Sequence, residues 1–241
     1  AKLGSYALTT PAVADGRVYV GSSEYSRPQD PRFPRCKAGL VLCLDALDGT
    51  LIWKLVVPGP DAELGKFIME YLGICSSPIV ENSRVYVVSH RGEVLCLDVE
   101  GQANGNDGPF LDEAAFMVPE GTPAITLGKT DADIIWRFNM IDIPISPHDA
   151  FSSSVVILGD FLYLVTGNGG IPVLEKDAPT LIVLNKHTGR LVATDGELIG
   201  RRMMHGHWAS PALGQVGGKN LIFLGGGDGV CYAFDALSAS P

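Results

Sequence analysis

The residues able to do chemistry in this chain cluster at a few positions. His148-Asp149 and His205-Gly206-His207-Trp208 place three of the five histidines beside a carboxylate and an indole, with Arg201-Arg202 just upstream. Imidazole titrates near neutral pH and ligates zinc and copper, so His-x-His beside an aspartate is a residue set for metal binding or proton transfer. The competing reading is that these side chains cap loops through backbone carbonyls. A second set, Asn104-Gly105-Asn106-Asp107-Gly108 followed by Asp112-Glu113, gathers the oxygen donors that hard cations such as Ca²⁺ take, with Asn106, Asp107 and Asp112 as candidate ligands. Its spacing departs from the twelve-residue helix-flanked calcium loop, and it reads first as a solvated insertion.

Other chemistries fail on context. Gly214 to Asn220 lacks the first glycine and the Ser/Thr of a phosphate loop and reads as a hairpin turn; Gly225-Gly226-Gly227 has no helix after it; Ser152-Ser153-Ser154 lacks the nucleophile-elbow pattern. No catalytic residue is assigned. The five cysteines are odd in number and lack metal-site spacing. Cys43, Cys96 and Cys231 fall at like places in a repeat and are expected to be buried small hydrophobes, while Cys36 and Cys75 are the two free to pair. A net charge of −9 with no Lys/Arg stripe argues against nucleic acid. Apolar runs such as Phe161 to Val165 are too short to span a membrane, and the N-terminus shows no signal region, though one may be removed by processing.

The elements that must position these residues are short strands. In Val41-Leu-Cys-Leu-Asp45-Ala-Leu-Asp48-Gly49-Thr-Leu-Ile-Trp53, alternation puts Val41, Cys43 and Asp45 on one face and Leu42 and Leu44 on the other, and Asp48-Gly49 reverses the chain. Arg17-Val-Tyr-Val20 recurs verbatim at Arg84-Val-Tyr-Val87, and Asp98 and Trp136 repeat Asp45 and Trp53. Four such copies make the chain all-β: a β-propeller of four-stranded antiparallel blades forming one segment over residues 1–241. Blade 1 covers about 9–55, blade 2 about 76–138 with an insertion at 101–131, blade 3 about 152–194, and blade 4 about 208–241, which is incomplete. Pro11, Pro78 and Pro211 open the innermost strands, where a missing N–H is tolerated.

The motif Cys43-x-Asp45-x-x-Asp48-Gly49-x-x-x-Trp53 resembles the Ala-x-Asp-x-x-Thr-Gly-x-x-x-Trp signature of the pyrroloquinoline-quinone (PQQ) enzyme-like propeller repeats, which include quinoprotein alcohol dehydrogenases and outer-membrane assembly lipoproteins. The resemblance implies that Trp53 and Trp136 dock against neighbouring blades, supported by Asp45, Asp98 and the turn glycines Gly49 and Gly189; Ala193 stands where a third tryptophan is expected. It also implies a ring of seven or eight blades, of which this sequence supplies about four, so that the rest of the propeller or a partner protein covers the end blades. A periplasmic or extracellular location follows from the same resemblance.

Function follows in two versions. In the first, the chain is a binding or scaffold module with no catalytic residues of its own. In the second, it belongs to a PQQ- and Ca-dependent dehydrogenase of alcohols or sugars, with a ligand in the channel and His148, Asp149, His205, His207 and Trp208 at its mouth. The family's adjacent cysteine pair does not occur here. Trp208 is the candidate cofactor floor, against the more common reading that a lone tryptophan before an inner strand serves packing.

Overall fold

The computed structural model describes every residue except 25–29, 34–36, 63, 170–176, 204 and 239–241. Four antiparallel sheets follow one another along the chain, each a meander in sequence order. Blade 1 comprises β1 (Ala12–Ala14), β2 (Arg17–Glu24), β3 (Ala38–Asp45) and β4 (Leu51–Pro58). Blade 2 comprises β5 (Ile79–Glu81), β6 (Arg84–Val88), β7 (Glu93–Asp98) and β8 (Ile134–Asn139), and blade 3 comprises β9 (Val156–Leu158), β10 (Phe161–Val165), β11 (Leu181–Asn185) and β12 (Leu191–Thr194). Blade 4 shows three strands among the described residues: β13 (Ala212–Val216), β14 (Lys219–Gly225) and β15 (Cys231–Asp235). The single α-helical turn among them, α1 (Glu113–Phe116), lies in the insertion between β7 and β8.

Local chemistry sets the strand ends. Asp15 and Gly16 both adopt positive φ, as a two-residue hairpin turn between right-twisted strands requires, and Gly217-Gly218 does the same in blade 4. The aspartate or asparagine closing the third strand of blades 1 to 3 forms an Asx turn: Asp45 Oδ1 accepts from the Leu47 N–H, Asp98 Oδ1 from the Glu100 N–H and Asn185 Oδ1 from the His187 N–H. Blades 1 to 3 each carry one register row, Tyr19–Cys43–Trp53, then Tyr86–Cys96–Trp136, then Tyr163–Val183–Ala193. A bulge follows the middle member of each row.

The cores lie between blades. One cluster joins Tyr19, Cys43 and Trp53 of blade 1 to Val85, Val87, Leu95 and Leu97 of blade 2. A second joins Tyr86, Cys96 and Trp136 to Leu162, Leu164, Ile182 and Leu184 of blade 3, and a third joins Tyr163 and Val183 to Ile222 and Leu224 of blade 4. At the inner edge, the Thr10 N–H donates to Ser77 Oγ, the Ser77 N–H to Ser154 Oγ and the Ser154 N–H to Ser210 Oγ, each at 2.9 Å. Every hydroxyl or amide in this row precedes an innermost strand.

Three expectations need correction. Cys231 is exposed, because alternation along β15 turns Tyr232 and Phe234 toward blade 3 and leaves Cys231 on the outer face of an edge strand. The insertion at 101–131 is not merely solvated: Phe116, Met117 and Val118 are buried in the first core, with Phe110, Ile125 and Leu127 packed against it. Apolar residues spaced through a Gly/Asn/Asp-rich segment pinned it over Trp53. The polar stretch after Gly21 begins as strand, since β2 runs to Glu24 paired with Ala38. Cys75 is free and half-buried; Cys36, its proposed mate, lies outside the described residues.

Candidate functional site

Antiparallel meanders send alternate connections to opposite ends of the sheets. One end, the loop face, gathers the β4–β5, β6–β7, β8–β9, β10–β11 and β12–β13 connections; the other, the turn face, holds the hairpin turns and the β7–β8 insertion.

On the loop face, Asp149 is tied into the β4–β5 connection: its N–H donates to Phe67 O and its carbonyl accepts from the Met69 N–H, both at 2.7 Å. These bonds hold Asp149 at φ 60, a left-handed conformation that aspartate tolerates. The His148 N–H reaches Gly167 O, and Gly169 bridges to Gly206, which brings in the β10–β11 and β12–β13 connections. Glycine is required at 206, where a Cβ would lie 2.1 Å from the Trp208 ring. Trp208 Nε1–H donates to His148 O at 3.1 Å, and the rings of His148 and His205 meet edge-on with centroids 4.7 Å apart.

Ligand atoms of His148, Asp149 and His205 all lie within 4.8 Å of one another, and His148 Nε2 has no hydrogen-bond partner. Two imidazoles and one carboxylate form a donor set for zinc or a similar transition metal. His207 does not join them. The chain folds Trp208 back over Gly206, and His207 turns inward, buried, its Nδ1 facing the Gly227 N–H at 3.4 Å. Burial there holds its pKa below the usual imidazole range. The expected His-x-His pair is replaced by a pair formed across two loops.

Next to Pro147 opens a cleft of about 900 Å³. Leu64, Phe67, Ile141 and Ile145 are among its walls, and Arg91, Glu93 and Arg137 form a charged cluster in it. Glu93 receives Arg91 at 3.0 Å and Arg137 at 3.1 Å, and the Arg91 guanidinium sits over the Phe116 ring at 4.4 Å. None of these was singled out as a site residue, although Arg137 interrupts the apolar run Ile134-Ile135-Trp136 in a way that marks it.

The candidate docking residues are placed as follows. Trp53 Nε1–H donates to Val99 O in blade 2 at 2.8 Å, and its ring lies against Gly101. Trp136 Nε1–H donates to Lys186 O in blade 3 at 3.0 Å and lies against Gly189, where φ is +70 and a Cβ would come within 2.5 Å of the ring. Gly49 adopts φ +74 with Ala1 beside it, and Asp45 and Asp98 serve the Asx turns. Of the turn-face candidates, Asn106 donates to Glu113, Asp107 meets Asp98 and Asp133, and Asp112 stands apart as the residue before α1.

PQQ carries three carboxylates, and a site for it needs cations around a flat aromatic floor. Among the described residues, the charged side chain in contact with the Trp208 and His148 cluster is Asp149, an anion. Arg201 is held by Asp177, and Arg202 by Asp228 and the Glu197 carbonyl. The groups around Trp208 therefore do not fit PQQ.

The fold defines a class: successive four-stranded antiparallel blades of the propeller type. Residues 8–107 match the family model described as outer membrane protein assembly factor BamB. The quinohemoprotein alcohol dehydrogenase ADHIIG from Pseudomonas putida HK5 superposes with a TM-score of 0.51 at 17% identity, over 93% of this chain and 32% of that one. BamB from Moraxella catarrhalis gives 0.47 at 13% identity, over 98% of this chain and 52% of that one. The chain thus spans about half the length of that BamB. A comparison with curated proteins gave no match. No helix among the described residues is long and apolar enough to cross a membrane.

Proposed function

We propose that this chain is the binding part of a PQQ-repeat propeller working outside the cytoplasm, taking a protein or small ligand on its loop face and performing no chemistry of its own. The observation that carries the reading is the cleft beside Pro147. Its apolar walls supply contact area, and the cluster of Arg91, Glu93 and Arg137 supplies fixed charge that orients a ligand without ionising it. Similarity to a family described as an assembly factor supports a protein ligand, and Leu213, Val216 and Val230 on blade 4 offer apolar surface for the rest of a propeller or a partner chain.

The test has two arms. Peptides selected from a displayed random library on the purified chain should compete with one another and lose binding to R137E, which reverses one charge at the cleft. Dye reduction with PQQ, Ca²⁺ and a panel of alcohols and sugars should stay at background. Sustained turnover, or binders indifferent to R137E, would overturn the reading.

A further inference from the structure

We propose that Asp98, Asp107 and Asp133 form a Ca²⁺ site on the turn face of blade 2. The site is assembled from three parts of the chain: Asp98 ends β7, Asp133 immediately precedes β8, and Asp107 comes from the insertion between them. One oxygen from each lies within 4.8 Å of the others. Gly108, at φ 85, lets the insertion settle on β8, since a Cβ there would fall 2.7 Å from Ile135 O. That approach brings the Asp107 N–H to Asp133 Oδ2 at 3.0 Å and the Asp107 side chain over the pair.

The observation that points to a ligand is Asp133 itself. It is fully buried, it faces the other two carboxylates, and its Oδ1 has no hydrogen-bond partner. Its neighbour Asp131, equally buried, shows what the chain does when it supplies its own cation: Arg32 grips both Asp131 oxygens at 2.6 and 2.8 Å. Asp133 has no such partner. Facing the cluster are Glu113, whose oxygens accept from the Ile134 N–H and Asn106; Asn104, which donates to Asp107; and Arg84, which is committed to Asp98 at 2.6 Å. Asp98, Asp133 and Glu113 are buried against one guanidinium, and burying a charge without a counterion is strongly unfavourable. All-oxygen, carboxylate-rich donors suit Ca²⁺, with water completing the shell.

The experiment is calorimetric titration of the whole chain with CaCl₂, with thermal melts alongside. Expected are saturable binding of one ion per chain and a raised Tm. D107N and D133N should lose the saturable binding, whereas D112N and H148A should keep it. Because Asp107 is exposed, D107N keeps the test decisive if D133N does not fold. Absence of saturable binding at about 1 mM Ca²⁺, the weak end for extracellular calcium modules, would overturn the site, as would binding untouched by D107N or lost in H148A.

Discussion

The joints between blades 1 and 2 and between blades 2 and 3 are built on one plan and finished differently. In both, a tryptophan on the fourth strand packs at a tilt against a tyrosine, donates its indole N–H to a carbonyl of the next blade and rests on a left-handed glycine. At the second joint the receiving turn is five residues, from Lys186 to Arg190. At the first it is the long insertion between β7 and β8, which adds Phe116, Met117 and Val118 to the core and buries Glu113, Asp131 and Asp133. His90 also belongs to this joint, packed against Gly39 of blade 1 with neither ring nitrogen bonded. The shared parts fix the geometry. The added parts bring ionisable groups into the interior, so sensitivity to protons and ions is concentrated in the first joint.

The comparison can be broken most forcefully at the tryptophans. W53A and W136A should each cost about 3–5 kcal/mol in urea unfolding, with Trp53 toward the upper end because the insertion packs over it. A loss under about 1 kcal/mol in either would remove its docking role. R32A should cost about 3 kcal/mol by leaving the buried Asp131 without its cation, a loss to which the second joint has no counterpart; chemical denaturation of the pair W136A and R32A/W136A would show whether the two effects add, as independent joints require.

The pH dependence sharpens the point through two opposed slopes. Burial raises Asp133 to about 7, so the folded state holds a proton the unfolded chain releases, and stability falls as pH rises from about 4 to about 7. Burial depresses His90 to about 3, so the unfolded chain takes a proton the folded state refuses, and stability falls as pH drops from about 6.5 to about 3. Urea midpoints followed across this range should show D133N retaining only the acid-side loss and H90L only the loss toward neutral pH. Identical profiles in both variants would place the sensitivity elsewhere. The smallest effect is expected for D45N, within about 0.5 kcal/mol of wild type in the same assay, since Asn185 makes the same turn in blade 3.

What was legible in the sequence follows from period. Strand alternation, Asp-Gly and Gly-Gly turns and the verbatim Arg-Val-Tyr-Val are local signals, and they led directly to four successive antiparallel sheets. The positions of Trp53 and Trp136 came with them, because both hold the same register place opposite Cys43 and Cys96. The histidine cluster was half legible: His148, Asp149 and His205 were named, but only the fold of Trp208 onto Gly206 decides that His207 leaves the group. Asp133 was missed. Its signal, an Asp-Ala-Asp before a strand, gains meaning only once the insertion is known to fold back on the end of β7. Asp98 was read as a turn residue and is one, yet its second oxygen and its neighbours give it a further surrounding that repeat counting does not reveal. The cleft residues escaped for the same reason, since they come from separate connections.

The row of hydroxyls along the inner edge has a consequence beyond stability. Thr10, Ser77 and Ser154 each hand an amide hydrogen forward to the hydroxyl of the next blade, at one repeated distance and in one direction. It works as a standard coupling, like a common thread pitch. A duplicated or transplanted blade needs a hydroxyl at this single place to mesh with the blade before it, whatever its loops carry, which leaves the outer connections free to diverge into a cleft on one face and an acidic cradle on the other.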